Sequence, residues 1–511
     1  MKKYFLPLSL LSLMAAGAFT SCKKALDVTP TEQINSDLAL TTRDGINAAV
    51  NGIYSRMKSA RLYGRDLIAI PEVLSDNGYV NNRSGRLFGE SNNQLRAHFT
   101  GDTWAFGYRN INEANLLLEA MPSSPLSAAD RANVEGQAYF LRAINHLILA
   151  QVYAYFPGAE VPGQSRGGIP ILRTGTKTIE QALSLRPARA SIDSVYAQIV
   201  SDFEAAYARL GNNGLAPFTF PNYASKQAAA ALLSRANLYR RNYSETRRWA
   251  DSSINLSGSR LTSGNAYVSG WRAATHPETL FQVAFVNNNE NIGVNESLQT
   301  TFTTLGSPGA TATTVGWGDV VPSLTLLNDL GISLTGGNTV TNYRNVAATI
   351  ATRSADFRNL LYEPGAAGRG KVYVEGTKYI GKNGNVNLDH APVIRIAEVY
   401  LNRAEALATP GSSVFDQALA LADLNRILQA RGLTPVALTG TALYEEILRQ
   451  RRIELAFEGH RFWDLKRLGR DILKAPLFNG GDVPFADIRI LAPLPLAELQ
   501  NNPNLTQNAG Y

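Results

Sequence analysis

The chain has 511 residues, of which 45% are hydrophobic and 18% are charged, and it contains one cysteine and five histidines. A single cysteine excludes an intramolecular disulfide framework and any metal site built from clustered cysteines. The hydrophobic fraction excludes a chain that is disordered throughout. The formal charge of +7 is spread along the chain, whereas nucleic-acid-binding proteins concentrate positive charge on one face. We therefore predict no nucleic-acid partner.

The N-terminus has the features of a bacterial lipoprotein signal. Residues 1–3 are basic, and residues 4–19 form an apolar run that falls short of the roughly 20 residues a membrane-spanning helix needs. Two small residues then precede Cys22. We predict that residues 1–21 are a signal peptide, that the Cys22 sulfur is lipidated, and that residues 22–40 tether the protein to a membrane by this lipid alone. An ordinary signal peptide with an incidental cysteine is the alternative.

Helical periodicity dominates the chain from residue 41 onward. The predicted helices cover residues 41–60, 102–121, 128–155, 192–210, 225–241, 244–256 and 413–431. Asp102 or Thr103 is the predicted cap of the second of these helices. Trp249, inside a helix hairpin, and Trp463, in the last helix, are predicted to belong to the core.

A short pattern recurs in three of the predicted helices, and each of the three is followed by a second helix. It is an arginine followed by an alanine: Arg142-Ala143, Arg235-Ala236 and Arg403-Ala404. The small and apolar residues of the middle pair suit a tetratricopeptide-like helix hairpin. We predict a mainly α-helical fold, a scaffold of tetratricopeptide-like helix pairs with long loop and short-strand inserts. Chance recurrence of Arg-Ala in a helix-rich sequence is the alternative.

The stretch from about 258 to 391 has a different composition. It is rich in Gly, Thr, Asn and Ser, with short β-like runs at 279–285 and 371–374. A structureless insert of this length is unusual in a compact domain, so we predict loops and short strands carried by the helices. Loops held on a rigid scaffold are where binding residues tend to lie. With this insert, residues 41–511 are predicted to form a single binding domain.

The sequence lacks the common catalytic motifs. It contains no H-E-x-x-H, Walker, G-x-S-x-G or G-x-G-x-x-G motif, and no two histidines have metal-ligand spacing. We predict no metal, no cofactor and no enzyme activity. His146 and His460 are predicted to be structural. A glycosidase with two carboxylates stays open, because its two acids need not be close in sequence.

Two segments have the composition of ligand-recognition loops. One runs from Ser75 to Asn93, and the other comprises Asn287–Asn291 followed by Val315–Asp319. Asn, Asp and Arg side chains can bridge adjacent sugar hydroxyls, and Trp and Tyr rings can pack on the C–H groups of a pyranose. The same Asn/Gly clusters are also ordinary turn chemistry. The predicted ligand-binding residues are Asp76, Asn77, Tyr79, Arg83, Phe88, Trp271, Trp317 and Tyr343.

The C-terminal third contains a specific signature. It runs from Arg452 to Arg467 and includes Glu458-Gly459-His460-Arg461-Phe462-Trp463-Asp464. This run resembles the SusD/RagB family of outer-membrane nutrient-binding lipoproteins. Further matches extend through most of the chain, among them Trp104, Gly316-Trp317-Gly318 and Asp356-Phe357-Arg358.

The resemblance implies a largely α-helical fold with tetratricopeptide-like helix pairs. It also implies a lipoprotein of the cell outer membrane that faces the exterior. Such a protein sits as a lid on a SusC-like TonB-dependent transporter barrel and captures a nutrient, usually an oligosaccharide, for import. Capture of a peptide is the alternative, and a hydrolase on a helical scaffold or a protein–protein scaffold without a small ligand are further hypotheses. Ligand-contacting loops vary within the family, so the site residues above rest on their position and chemistry.

Overall fold

A computed structural model describes residues 40–511, except Asn383, Ala475 and Asn479. The predicted signal peptide, Cys22 and the predicted tether up to residue 39 lie outside the described residues. The α-helices are α1 (Arg43–Arg56), α2 (Asp66–Leu74), α3 (Phe88–Ser91), α4 (Gly101–Ala120), α5 (Ala128–Tyr153), α6 (Ile179–Ser184), α7 (Ile192–Arg209), α8 (Lys226–Tyr239), α9 (Tyr243–Ser257), α10 (Asn265–Gly270), α11 (Leu298–Phe302), α12 (Leu324–Asp329), α13 (Val340–Asn345), α14 (Ile396–Ala408), α15 (Gln417–Ala430), α16 (Gly440–Glu454), α17 (Arg461–Leu468) and α18 (Leu496–Asn501). None of the helices in this part of the chain is long and apolar enough to cross a membrane.

The strands are short and lie mostly in the predicted insert. They are β1 (Gly78–Val80), β2 (Gly214–Leu215), β3 (Phe218–Thr219), β4 (Thr279–Val283), β5 (Val320–Pro322), β6 (Ile332–Leu334), β7 (Ile350–Arg353), β8 (Tyr362–Pro364), β9 (Val374–Gly376) and β10 (Ala391–Arg395). They pair as antiparallel two-stranded ladders: β1 with β5, β2 with β3, β4 with β10, β6 with β7, and β8 with β9. The mainly α-helical fold class predicted from the sequence is confirmed.

Side-chain caps set the helix starts. The Thr42 hydroxyl accepts a hydrogen bond from the Gly45 amide at 3.1 Å and so begins α1. Serine hydroxyls cap α5, α7 and α8 in the same way, from Ser127, Ser191 and Ser225. Each cap satisfies an amide that the helix itself leaves unpaired and contributes about 1 kcal/mol. Capping therefore explains why these helices begin within about two residues of their predicted starts.

Several predicted boundaries are wrong. Helix α1 ends at Arg56, four residues before its predicted end, and α15 begins at Gln417, four residues after its predicted start. Neither Asp102 nor Thr103 caps α4, which begins at Gly101, because the Thr103 hydroxyl instead donates to the Arg61 carbonyl at 3.1 Å. Helix α5 ends at Tyr153, two residues before its predicted end, when the chain turns extended at Ala154. These differences arise from tertiary contacts or backbone geometry that local sequence does not specify.

The helices pack in consecutive pairs. Helix α5 contacts α7, α8 contacts α9, and α14 contacts α15. Further contacts join α7 to α8 and α9 to α14, so the pairs form a continuous stack. The three predicted helix pairs are thus confirmed, and their arrangement is consistent with tetratricopeptide-like packing. Trp249 and Trp463 are buried in the interior of this scaffold, as predicted.

The Arg-Ala pattern has a physical cause. Each of its arginines makes an ion pair with a carboxylate on another helix, at N–O distances of 2.6 Å (Arg142–Asp202), 2.6 Å (Arg235–Glu398) and 2.7 Å (Arg403–Asp423). The alanine that follows is fully buried in every case: Ala143, Ala236 and Ala404. A small side chain lets neighbouring helices approach closely, while the arginine ties them together. Chance recurrence does not account for three such contacts.

A buried charge cluster lies where the strands meet the helices. It consists of Glu278, Arg395, Arg431, Glu454 and Glu458, whose side chains are at most 3% exposed. Arg395 lies 2.8 Å from Glu278 and 2.7 Å from Glu458, and Arg431 lies 2.8 Å from Glu454. Burial acts to raise the pKa of Glu454, but Arg431 and Arg395 outweigh it and hold that pKa well below its usual range. The Glu454 carboxylate is therefore charged and depends on these arginines.

Candidate functional site

The two predicted recognition segments meet at the short ladder of β1 and β5. Tyr79 lies opposite Val321 in this ladder. Beyond it, the Asn81 amide donates to the Asp319 carbonyl at 3.0 Å, and the Asn81 side chain donates to the Gly318 carbonyl at 2.6 Å. The Ser75–Asn93 segment and the Val315–Asp319 segment therefore form one surface.

Trp317 is held in this surface by tight backbone packing. A Cβ atom at Gly316 would lie 2.3 Å from the Thr303 carbonyl oxygen, so only glycine fits at that position. The Trp317 and Gly318 amides donate to the Thr300 carbonyl at 3.1 and 2.8 Å. The loop is thus fixed on α11, while the Trp317 side chain stays half-buried at the surface.

Two arginines connect Trp317 to its neighbours. Arg83 makes a 2.7 Å ion pair with Glu375 and donates to the Trp317 carbonyl at 3.0 Å. Arg86 makes a 3.1 Å ion pair with Asp319, and its guanidinium carbon lies 5.4 Å from the centre of the Trp317 ring. Arg83 is therefore a structural link below the surface, whereas Arg86 lies beside the indole itself.

Tyr79 belongs to an aromatic group. Its ring centre lies 5.8 Å from that of Tyr343, 6.3 Å from that of Tyr373 and 5.5 Å from that of Phe478. Tyr79 is half-buried, while the other three rings are buried. Of this group, Tyr79 is the ring that a surface ligand can reach.

Asp76 and Asn77 are buried and already paired. The Asp76 carboxylate accepts from Arg461 at 2.7 and 2.9 Å, and the Asn77 side chain donates to Glu72 at 2.9 Å and accepts from Arg452 at 2.8 Å. Burial acts to raise the pKa of Asp76, but Arg452 and Arg461 lower it below its usual range. These two residues attach the recognition loop to the C-terminal signature and leave few polar atoms for a ligand.

The structure places the remaining candidates at different depths. Trp271 and Tyr343 are each 1% exposed, so a ligand at the surface does not reach their rings. Trp271 packs under the cations of Lys378 and Arg395, at 4.9 and 5.2 Å from the ring centre.

Phe88 begins α3 and is half-buried against the core. The Asn287–Asn291 stretch lies elsewhere, where Glu290 forms an ion pair with Lys58.

Sequence reasoning missed two cations that lie over aromatic rings, one at Trp317 and one at Tyr373. The Arg369 guanidinium carbon lies 3.9 Å from the centre of the Trp317 ring, and the Lys371 ammonium lies 3.5 Å from the centre of the Tyr373 ring. The β-like run at 371–374 contained the signal, because residues two apart on an extended chain share a face. We call the accessible side chains of Tyr79, Arg86, Trp317, Arg369 and Lys371 the Trp317 face.

Other parts of the described chain offer less chemistry. A groove of about 490 Å³ lies between residues 92–95 and 480–489, but its charged residues, Asp487 and Arg489, pair with each other at 2.6 Å. All five histidines are buried, including His146 and His460. Within residues 40–511, apart from the three gaps, no group of three His, Cys, Asp or Glu side chains could hold a metal ion.

Two relatives and two solved structures are similar to the chain over different lengths. A SusD-like protein of Formosa agariphila is 26% identical over 555 residues, covering all of both chains. The starch-binding protein SusD of Bacteroides thetaiotaomicron is 28% identical over 183 residues, or 31% of each chain. A SusD superfamily structure from the same Bacteroides species has a TM-score of 0.75 at 24% identity, covering 91% of this chain and 99% of that one. A laminarin-binding SusD-like protein has a TM-score of 0.68 at 20% identity, covering 92% and 100%.

Family models match both ends of the described chain. The model of the SusD family matches residues 341–511, which include the signature. A second model, described as starch-binding and associating with the outer membrane, matches residues 24–238. Together with the full-length relative and the shared fold, these matches confirm the resemblance seen in the signature, and the chain belongs to the SusD/RagB family.

Proposed function

We propose that the protein is a non-enzymatic lipoprotein that captures an oligosaccharide on the Trp317 face. In this proposal it delivers the ligand to a SusC-like TonB-dependent transporter of the outer membrane. The family models, the relative named as starch-binding and the laminarin-binding neighbour in fold support carbohydrate as the ligand. The observation that carries the proposal is the half-buried indole of Trp317, which the Gly316 loop fixes at the surface.

The geometry supplies enough free energy for a weak carbohydrate complex. A millimolar ligand needs about 4 kcal/mol. Covering half of an aromatic ring contributes roughly 2 kcal/mol, and the face includes two partly exposed rings, Trp317 and Tyr79. Hydrogen bonds from arginine and lysine to sugar oxygens add to this contribution. Because the aromatic side chains are already packed in place, little side-chain entropy is lost on binding.

We also propose that residues 41–511 act as a single binding domain tethered by residues 22–40. One hydrophobic cluster runs from Ile46 to Leu494, which supports one folded unit. The ion pair of Arg461 with Asp76 further joins the C-terminal signature to the recognition loop. A domain of this kind can cover a transporter barrel while its lipid holds it at the membrane.

Replacing Trp317 by alanine is expected to weaken oligosaccharide binding at least about tenfold, which corresponds to 1.4 kcal/mol. The reason is the loss of the aromatic surface at the centre of the face. Isothermal titration with a panel of oligosaccharides measures this effect. Phe415→Ala is the matched control, because Phe415 is 52% exposed and lies outside the face. Binding to peptides but to no oligosaccharide would overturn the proposal.

Replacing Cys22 by serine is expected to abolish lipid attachment, because a hydroxyl does not substitute for the thiol in the thioether linkage. Cells labelled with radioactive palmitate should yield a labelled wild-type protein and an unlabelled variant. Ser21→Ala is the control, since it keeps a small residue before the cysteine and should stay labelled. Equal labelling of the Cys22→Ser protein would show that the tether is not attached at this residue.

A further inference from the structure

We propose that the oligosaccharide captured on the Trp317 face is anionic, and that Arg369 and Lys371 bind its carboxylate or sulfate groups. This inference rests on the proposed function and specifies the class of its ligand. It arises from the excess of positive charge around Trp317, since a neutral sugar needs no counter-charge.

Positive charge exceeds negative charge around Trp317. The basic side chains there are Arg83, Arg86, Arg369 and Lys371. The acidic ones are Asp319 and Glu375, both buried and already paired with Arg86 and Arg83. Glu375 also accepts hydrogen bonds from Thr303 and Thr304, so its oxygens are fully used. Within the described part of the chain, the other two cations, Arg369 and Lys371, have no carboxylate partner and donate only to backbone carbonyls.

Arg369 is positioned to bind an anion. Its guanidinium lies on the Trp317 ring, and its Nε donates to the Gly316 carbonyl at 3.3 Å. This hydrogen bond leaves the two terminal nitrogens free for an acceptor. A planar guanidinium held in place by stacking matches the paired oxygens of a carboxylate or a sulfate. The indole therefore orients a cation as well as offering a surface for a sugar.

Lys371 lacks a counter-charge in a partly desolvated position. Its Nζ donates to the Tyr343 carbonyl at 2.5 Å and lies over the Tyr373 ring, while the charged group that faces it is the cation Arg83. Burial, followed by the charge of Arg83, lowers the pKa of Lys371 to about 8. A bound anion would supply the missing charge and favour the protonated amine.

The first experiment compares ligands that differ only in charge. Tetragalacturonate and its full methyl ester are titrated calorimetrically, together with a sulfated dextran oligosaccharide and the same oligosaccharide without sulfate. We expect at least one anionic ligand to bind about tenfold or more tightly than its neutral counterpart. The pair with the larger difference in affinity shows whether the preferred group is a carboxylate or a sulfate. Equal binding of charged and neutral ligands would overturn this inference but leave the proposed function standing. Binding of no oligosaccharide in a wider panel would overturn both.

The second experiment removes the cations one at a time. Arg369→Gln and Lys371→Gln are each expected to weaken the preferred anionic ligand about five- to tenfold and to leave its neutral counterpart unchanged. Arg248→Gln and Lys226→Gln are matched controls, because these cations also lie over aromatic rings, at 4.0 and 4.9 Å, but outside the face. The thermal unfolding midpoint verifies that each variant is folded. Equal losses for charged and neutral ligands would contradict the assignment.

The third experiment uses pH. Lys371 loses its proton as the pH rises through about 8, so affinity for the anion should fall between pH 7 and pH 9. Titration at pH 8 in buffers of different ionisation enthalpy should show proton uptake on binding. Lys371→Arg should keep the affinity but lose both the proton uptake and the pH dependence, because arginine stays charged. An affinity that is independent of pH in the wild-type protein would rule out a role for Lys371.

Discussion

Replacing Arg431 by methionine is expected to lower the free energy of unfolding by about 3–5 kcal/mol, because it leaves buried carboxylates without their counter-charge. Arg431 is fully buried, and its guanidinium lies 2.8 Å from Glu454 and 3.0 Å from Glu278. It also donates to the Thr262 carbonyl at 2.7 Å. Methionine replaces the unbranched part of the side chain as far as Nε but supplies none of these hydrogen bonds. Urea unfolding followed by circular dichroism measures the change.

Two further variants separate the loss of burial contacts from the loss of charge. Arg248→Met removes an arginine that is 53% exposed and pairs with Glu245 on the helix surface, and it should change the free energy of unfolding by less than about 0.5 kcal/mol. Arg431→Lys keeps the charge but not the bidentate geometry. Its free energy of unfolding should therefore lie between those of the wild type and Arg431→Met. A loss below about 1 kcal/mol for Arg431→Met would mean that the buried charge cluster does not depend on this residue.

Acidification is expected to destabilise the protein through its buried histidines. Burial, with the charge of Lys466, lowers the pKa of His98 to about 3, and burial lowers that of His146 to about 3 as well. The unfolded chain binds these protons near pH 6.5, whereas the folded chain does not. The stabilisation is therefore complete above pH 6.5 and declines as the pH falls toward 3. Below pH 6.5, each histidine lowers the free energy of unfolding by about 1.4 kcal/mol per pH unit, which amounts to roughly 2 kcal/mol at pH 5.

His98 allows this expectation to be tested at one residue. Its ring packs against Phe99 and Phe462, and neither ring nitrogen has a hydrogen-bond partner among the described residues. His98→Phe should reduce the slope of the unfolding free energy against pH between pH 6 and 5. The reduction should correspond to about one bound proton. Phe462→Leu should destabilise the same site without changing that slope. An unchanged slope in His98→Phe would show that this histidine is protonated in the folded state.

The fold was largely predictable from the sequence because its determinants are local. Helical periodicity and serine or threonine caps located the main helices to within a few residues. The Arg-Ala pattern located the helix pairs, since Arg142 and Arg403 each reach the following helix of their own pair. Arg235 instead reaches Glu398 on α14, 163 positions away. Local sequence predicted the pairs, but it did not predict which carboxylate completes each contact.

The candidate site was less predictable because burial and charge pairing depend on distant residues. The Asp76 carboxylate has the chemistry needed to bind sugar hydroxyls. However, it is already paired with Arg461, which lies 385 positions further along the chain. Trp271 and Trp317 both lie in polar loops, and only the packed structure distinguishes the buried ring from the accessible one. Composition thus predicted which loops carry the candidate site, whereas the burial and pairing of each side chain required the tertiary contacts.

The ion pair between Asp76 and Arg461 bears on the order in which the molecule matures. A chain that leaves the ribosome or crosses a membrane N-terminus first presents Asp76 long before Arg461. Until the last third arrives, Asp76 has no counter-charge and the recognition loop has no anchor. A prematurely ended product therefore cannot complete the loop and stays open to proteases. Only a full-length chain acquires a finished binding surface, so ligand capture also reports that synthesis has been completed.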